Sequence, residues 1–242
     1  LTKVIAIASL TVETSIDPEA DSFTFRVDNA FDQVAREFKD IDKYLFIGKY
    51  VEIRMGYLDK LETVFVGIIT SVAYNYPSDG NPSITVNGMD TSCLMMKGAR
   101  SNTWKQKKDS DVIKSIASKY GLKMSVHDTP DKREIIEQYD ETDFDFISSL
   151  AEDNNYNFFV VGNTLYFRKP TSSTSPVITL TYGQNLTSFS TEINLDKQVS
   201  QVIVRSYDEL NSKVLEAKYS EVDKIGSNSK TGKDVMKALA DY

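Results

Sequence analysis

Cysteine is nearly missing from this sequence: Cys93 stands alone among 242 residues. That excludes a disulfide framework and a cysteine metal cluster. With Leu94, Met95 and Met96 beside it, Cys93 reads as a small buried hydrophobe. Histidine is equally scarce. His127 is the only one, on a polar loop before Thr129-Pro130, and is read as a surface residue. One histidine and one distant cysteine supply neither a zinc set nor a Ser-His-Asp or Cys-His arrangement. Long apolar runs are missing too; none approaches the roughly 20 residues of a membrane span. Leu1–Leu10 is too short for a signal peptide and runs straight into polar strand-like sequence. No membrane insertion is expected, and a cytoplasmic site of synthesis fits. Basic residues are in deficit, 28 Lys and Arg against 35 Asp and Glu, for a net charge of −7. A dedicated duplex-DNA binder needs a basic footprint that this chain lacks.

What the sequence has in quantity is strand pattern. From Gly48 to Asp90, Val51, Ile53 and Met55 alternate with Glu52 and Arg54. Val64, Phe65, Val66, Ile68 and Ile69 are β-branched or aromatic almost throughout, and a third run follows from Ser83. Gly56 and Gly67 are expected to mark bulges or bends of the kind a small barrel needs to close. Upstream, Val4–Thr14 and Ser22–Asn29 read as strands around the Asp17-Pro18 turn. Phe31, Val34 and Phe38 have helical spacing, which predicts a short helix or helical loop within Ala30–Tyr44.

Residues 94–110 turn basic around Trp104 and are read as a solvated inter-domain segment with Trp104 as anchor. Ser110–Gly121 is a well-marked helix, with Ser110 as cap, Asp111 at the positive end of the dipole and Gly121 as the left-handed stop. Leu122–Val126 reads as a strand. A second helix, Thr142–Glu152, is capped by Thr142, and Gly162-Asn163 joins two strands as a hairpin turn. Pro170–Pro176 is a linker by composition. Strand signals resume over Val177–Tyr182, Leu186–Asn194, Gln198–Asp208 and Lys213–Tyr219, before a polar tail with a short helix over Lys233–Asp241. The predicted fold is mainly β with an α+β insertion. It comprises a first β-barrel over 1–95, an α+β domain over 96–170, and a second β domain over 171–242.

Candidate chemistry is sparse. Asp140, Glu141, Asp143 and Asp145 form an acidic cluster that could serve a cell-wall hydrolase or hold calcium. Acidic residues at a helix N-terminus are expected from the dipole alone, and the calcium-loop glycine and terminal glutamate are missing. Gly226–Asp234 resembles a phosphate loop but has one residue too many between its glycines and Asp234 at the hydroxyl position. Asn185-Leu186-Thr187 is a formal glycosylation sequon. Lysines around Trp104 offer a carbohydrate- or nucleic-acid-binding alternative. No catalytic, cofactor-binding or metal residue is assigned, no cofactor is expected, and no enzyme is read here.

The residues also resemble a family, the phage late control protein D family of contractile-tail baseplate hubs, together with the N-terminal hub part of type VI secretion spike proteins. The resembling pieces are Gly48–Ile53, Val64–Thr70, Val86–Asp90 with Leu94, Ser110–Leu122, Gln138, Thr142–Ile147, Leu150–Glu152, Tyr156 and Leu165–Phe167, in the family's order. The resemblance implies two tail-tube-like barrels joined by the α+β insertion. It implies a non-enzymatic homotrimer that matches a three-fold spike to a six-fold tail tube in a virion tail baseplate or other injection particle. Implied partners are the tube or its initiator, a spike protein and other baseplate proteins, without stable nucleic-acid binding. No spike helix or lysozyme-like domain follows up to Tyr242, so the spike is expected as a separate polypeptide or beyond that residue.

Overall fold

The computed structural model describes residues 5–15, 19–38, 41–57, 60–170, 175–192, 199–221 and 231–240. The Asp17-Pro18 turn and most of the Pro170–Pro176 and Gly226–Asp234 segments fall outside these. The chain divides into two units, Leu1–Pro170 and Thr171–Tyr242.

In the first unit, β1 (Ile7–Glu13), β2 (Ser22–Val27), β5 (Tyr50–Tyr57), β6 (Lys60–Asn75) and β7 (Ser83–Met89) form one antiparallel sheet. Their order is β1-β2-β7-β6-β5. The sheet curls into a half-barrel, and among the described residues β1 and β5 are its free edges. Strand alternation sends Phe23, Phe25, Val27, Ile53, Phe65, Ile69, Ile84 and Val86 inward, and Ile5, Ile41 and Leu45 pack with them.

The bends of β6 are not at its glycine. Register shifts leave Val64 unpaired opposite Ile53/Arg54 and Thr70 unpaired opposite Gly88/Asn87. Gly67 lies midway between them. A Cβ there would collide with the Met89 carbonyl oxygen and stand 2.6 Å from the Phe65 ring. On the neighbouring strand, a Cβ on Gly88 would enter the Phe23 ring. These two glycines make room for large core rings, and the bulges bend the strand.

Ala30–Tyr44 is not the expected helix. It holds a minimal hairpin, β3 (Phe31–Asp32) with β4 (Glu37–Phe38), and a single helical turn, α1 (Ile41–Tyr44). The Asp32 carboxylate accepts from the Val34 and Ala35 N–H groups at 2.8 and 3.0 Å, so a local turn outcompetes the helix. Phe31 and Phe38 meet at 5.2 Å, Phe38 packs on Tyr74 and Tyr76, and Val34 is 96% exposed.

The α+β part of this unit has its own core, which begins at Met95. The basic segment is a strand and not a solvated linker: β8 (Arg100–Lys107) pairs with β10 (Arg133–Glu141), a strand the sequence pattern did not reveal. Trp104 and Ile136 are paired, and Trp104 stacks on Phe146 at 5.5 Å. Between these strands lie α2 (Asp109–Lys119) and β9 (Lys123–Val126), followed by α3 (Asp143–Asn154), β11 (Asn157–Val161) and β12 (Thr164–Arg168). Ser110 does not cap α2; Lys108 occupies that position, and Ser110 Oγ accepts from the Thr129 N–H at 3.2 Å. Thr142 caps α3 as expected, accepting from the Asp145 N–H at 3.1 Å. Gly162 takes φ 62° in the β11–β12 turn, and β9 joins β12 in parallel.

In the second unit, Val177–Tyr182 and Leu186–Glu192 are not the expected strands; an isolated bridge pairs Tyr182 with Leu186. The Asn185 side chain accepts from the Thr181 N–H and donates to Thr179 O, fixing a local turn in place of a ladder. Described strands are β13 (Val202–Asp208) and β14 (Lys213–Tyr219), one antiparallel hairpin. The C-terminal helix α4 covers Gly232–Ala240.

Candidate functional site

The acidic cluster comes apart in three dimensions. Asp143 is fully buried, and its carboxylate accepts from the Tyr120 hydroxyl at 2.8 Å and from Gln138 Nε2 at 2.9 Å. Arg100 Nε lies 3.4 Å away. Asn102 Nδ2 donates to Gln138 Oε1 at 2.8 Å, so the network ties β8, β10, α2 and α3 together. Burial, and then the bond to Asp143, pushes the Tyr120 hydroxyl up to about 12. Asp145 closes the α3 cap, accepting from Thr142 Oγ1 at 2.6 Å. Asp140 is an exposed residue at φ 46°, where the β8–β10 register shifts. Among the described residues no three His, Cys, Asp or Glu side chains converge as a metal site would require. Trp104 is half-buried, with one ring face stacked on Phe146. His127 is exposed, and Cys93 is buried. Asn185 of the sequon is bonded into its own turn.

A groove of about 460 Å3 lies where the half-barrel meets the α+β lobe. One wall comes from the β1 and β2 ends and the β6 bulge, through Ser15, Asp21, Val64 and Val66. The opposite wall comes from Asn157, Phe159, Val161 and Arg168 of the β11–β12 hairpin. Asp90, in its floor, is spent on backbone: its carboxylate accepts from the Ser92 and Asp21 N–H groups at 2.6 and 2.7 Å. Burial pushes the Asp90 carboxyl up, against the pull of those bonds. Asp21 in turn accepts from the Ser15 N–H. Thr91 Oγ1 donates to Gly162 O across the junction at 3.4 Å. Arg168 was not singled out from sequence. The readable signal is the hairpin alternation, which sets Phe159, Tyr166 and Arg168 on the face opposite the buried Phe158, Val160, Leu165 and Phe167.

A second groove, about 480 Å3, opens between the two free edges of the half-barrel. Ile7 and Leu10 line one lip, and Val51, Ile53 and Leu61 the other. In the second unit the β13–β14 hairpin is exposed along both faces. Val202, Val204, Leu215, Ala217 and Tyr219 share one face, and Arg205 and Lys218 bracket Glu216 on the other at 2.6 and 2.7 Å.

A curled antiparallel half-barrel carrying an α+β lobe is a fold already seen in phage tail proteins. The chain is similar to a 43 kDa tail protein of prophage MuSo2 from Shewanella oneidensis, with TM-score 0.65 and 15% identity over 81% of this chain. It spans about three-fifths of that protein, 61% of its length. A tail protein from Neisseria meningitidis matches at TM-score 0.63 and 17% identity, over 96% of this chain and 71% of that one. Prophage tail protein gp18 from Listeria monocytogenes matches at 0.53 and 14%, over 88% and 60% of the two chains. No curated protein matches by sequence. The profile of one family, described as the Alg8 N-terminal domain, matches residues 1–240, and the chain belongs to that family.

Proposed function

We propose that this chain is a structural component of a phage tail or tail-like injection particle, acting as a trimeric baseplate hub between a three-fold spike and a six-fold tube. The observation that carries the proposal is the half-barrel with its α+β lobe, a fold shared with three tail proteins over most of this chain. The free edges support assembly. β1 and β5 differ in sequence and in side-chain exposure, so a contact between them is heterologous and closes only as a ring. In a ring of three, the second unit would contribute the second barrel, and the exposed apolar face of β13–β14 would find its cover there.

The role requires no catalysis. Of the Asp140, Glu141, Asp143 and Asp145 cluster a hydrolase would use, Asp143 and Asp145 are engaged in an internal network and a helix cap. The proposed partners are two further copies, a tube or tube-initiator protein, a spike protein and other baseplate proteins, with the tail baseplate as location. Electron microscopy of the purified chain mixed with its tube protein tests this. Three-fold rings with a central channel, seated at tube ends, are expected; tubes with bare ends beside dispersed monomers would overturn it.

A further inference from the structure

Two strands of this chain each keep one edge that no described strand occupies: β5 pairs only with β6, and β14 only with β13. An open edge presents N–H and C=O groups to which a further strand can add. On β5, Glu52 and Arg54 stand together on the exposed face, joined at 2.8 Å, and Val51 and Ile53 pack into the half-barrel. On β14, Glu216 and Lys218 stand together, joined at 2.7 Å, and Leu215, Ala217 and Tyr219 form the opposite, apolar face.

The side chains of these two strands select one pairing. Run antiparallel with Ile53 opposite Ala217, they set Glu52 against Lys218 and Arg54 against Glu216. The same alignment sets Val51 against Tyr219 on the apolar face. A slip of two residues one way opposes Glu52 to Glu216, and the other way Arg54 to Lys218. A slip of one brings charged side chains onto the apolar face. A parallel alignment can match only one of the two ion pairs. Beyond β14 the order still holds. Arg205 lies 2.6 Å from Glu216, so the glutamate would stand between two arginines. Val202 and Val204 of β13 prolong the apolar rows begun by Val51 and Ile53, which line the groove at this edge with Leu10 and Phe25.

We propose that β14 of one copy adds to β5 of a second copy as an antiparallel strand in this register, so that the β13–β14 hairpin continues the neighbour's half-barrel sheet. The occupant of the β5 edge is a second copy because β14 of this chain carries the complementary charges in the order that β5 requires. The contact joins unlike edges and so passes from copy to copy, as a closed ring of three requires. It names one interface of the ring proposed above and rests on that reading.

Cysteine cross-linking of the full chain under mild oxidation, alone and with its tube protein, tests the register. Chains carrying only E52C are mixed with chains carrying only K218C, and a disulfide-linked dimer is expected. E52C mixed with E216C is expected to give about tenfold less, because a diagonal pair lies beyond disulfide reach. The double variant E52C/K218C is expected to link up to three chains. Unchanged thermal unfolding establishes that each variant is folded. No cross-linked dimer, equal yields from the two registers, or a disulfide formed only within single E52C/K218C chains would each overturn the inference. Three-fold rings in electron microscopy without the cross-link would remove this contact and leave the hub reading standing. Cross-linked copies that never build three-fold rings would keep the contact and remove the hub.

Discussion

Asp143 shows at the scale of one residue how a cluster that looks chemical becomes structural. Its two oxygens receive Tyr120 and Gln138 in a site with no solvent exposure, and Arg100 approaches from the half-exposed side. Asp143→Ala is expected to strip two buried donors of their acceptor and cost about 2–3 kcal/mol, read as a lowered urea midpoint. A loss below about 0.5 kcal/mol, the range of an ordinary surface substitution, would contradict the network's role. Tyr120 makes the same network sensitive to alkali. Its hydroxyl titrates at about 12 in the folded chain against 10.0 for an ordinary tyrosine, so between those values the folded state holds a proton that the unfolded state has lost. Stability from this group is therefore complete below 10 and is lost as pH rises toward 12. Tyr120→Phe is expected to flatten part of that alkaline decline in denaturation midpoints; an unchanged slope would assign it to other groups.

At the scale of elements, the outcome depended on whether the deciding contact was local. α3 was legible because its stop and start signals are its own: Thr142 bonds the Asp145 N–H, and Phe146, Ile147, Leu150 and Ala151 fall on one buried stripe. Thr142→Ala is expected to cost about 1 kcal/mol, measurable by thermal unfolding. The β11–β12 hairpin was legible for the same reason, through Gly162-Asn163. The Phe31–Phe38 segment misled because helical spacing also fits two phenylalanines brought edge to face across a tight hairpin, a pairing packed on by Tyr74 and Tyr76 far along the chain. β8 hid behind its lysines, since only Asn102 and Trp104 along it are even half-buried. Gly67 was read as a bend, but the register shifts of β6 fall at Val64 and Thr70, on either side of it. Gly67 and Gly88 admit the Phe65 and Phe23 rings, a need visible only when three strands are aligned. Gly88→Ala is expected to displace Phe23 and cost about 1–3 kcal/mol by overpacking. Arg168 was not legible as a groove residue, because what stands across from a strand is set by the fold and not by the strand's own pattern.

At the scale of the molecule, the sequence disclosed the half-barrel's strands and the lobe's helices, and with them the tail-like fold. It did not disclose that no described strand joins β1 to β5, because an edge strand carries the same alternation whether it meets a neighbour or water. The strands expected over Val177–Tyr182 and Leu186–Asn194 were overread: as far as Glu192 the described segment makes a turn held by Asn185 and no ladder. The half-barrel has two unlike edges and the second unit an exposed apolar hairpin, the features on which the proposed assembly rests. The most direct test of that claim is native mass by light scattering across a concentration series, first for the chain alone and then with its tube and spike proteins. The account expects a species of three chains, each of 27.2 kDa, formed alone or nucleated by those partners. A single 27.2 kDa chain at every concentration, with and without tube and spike, would contradict it.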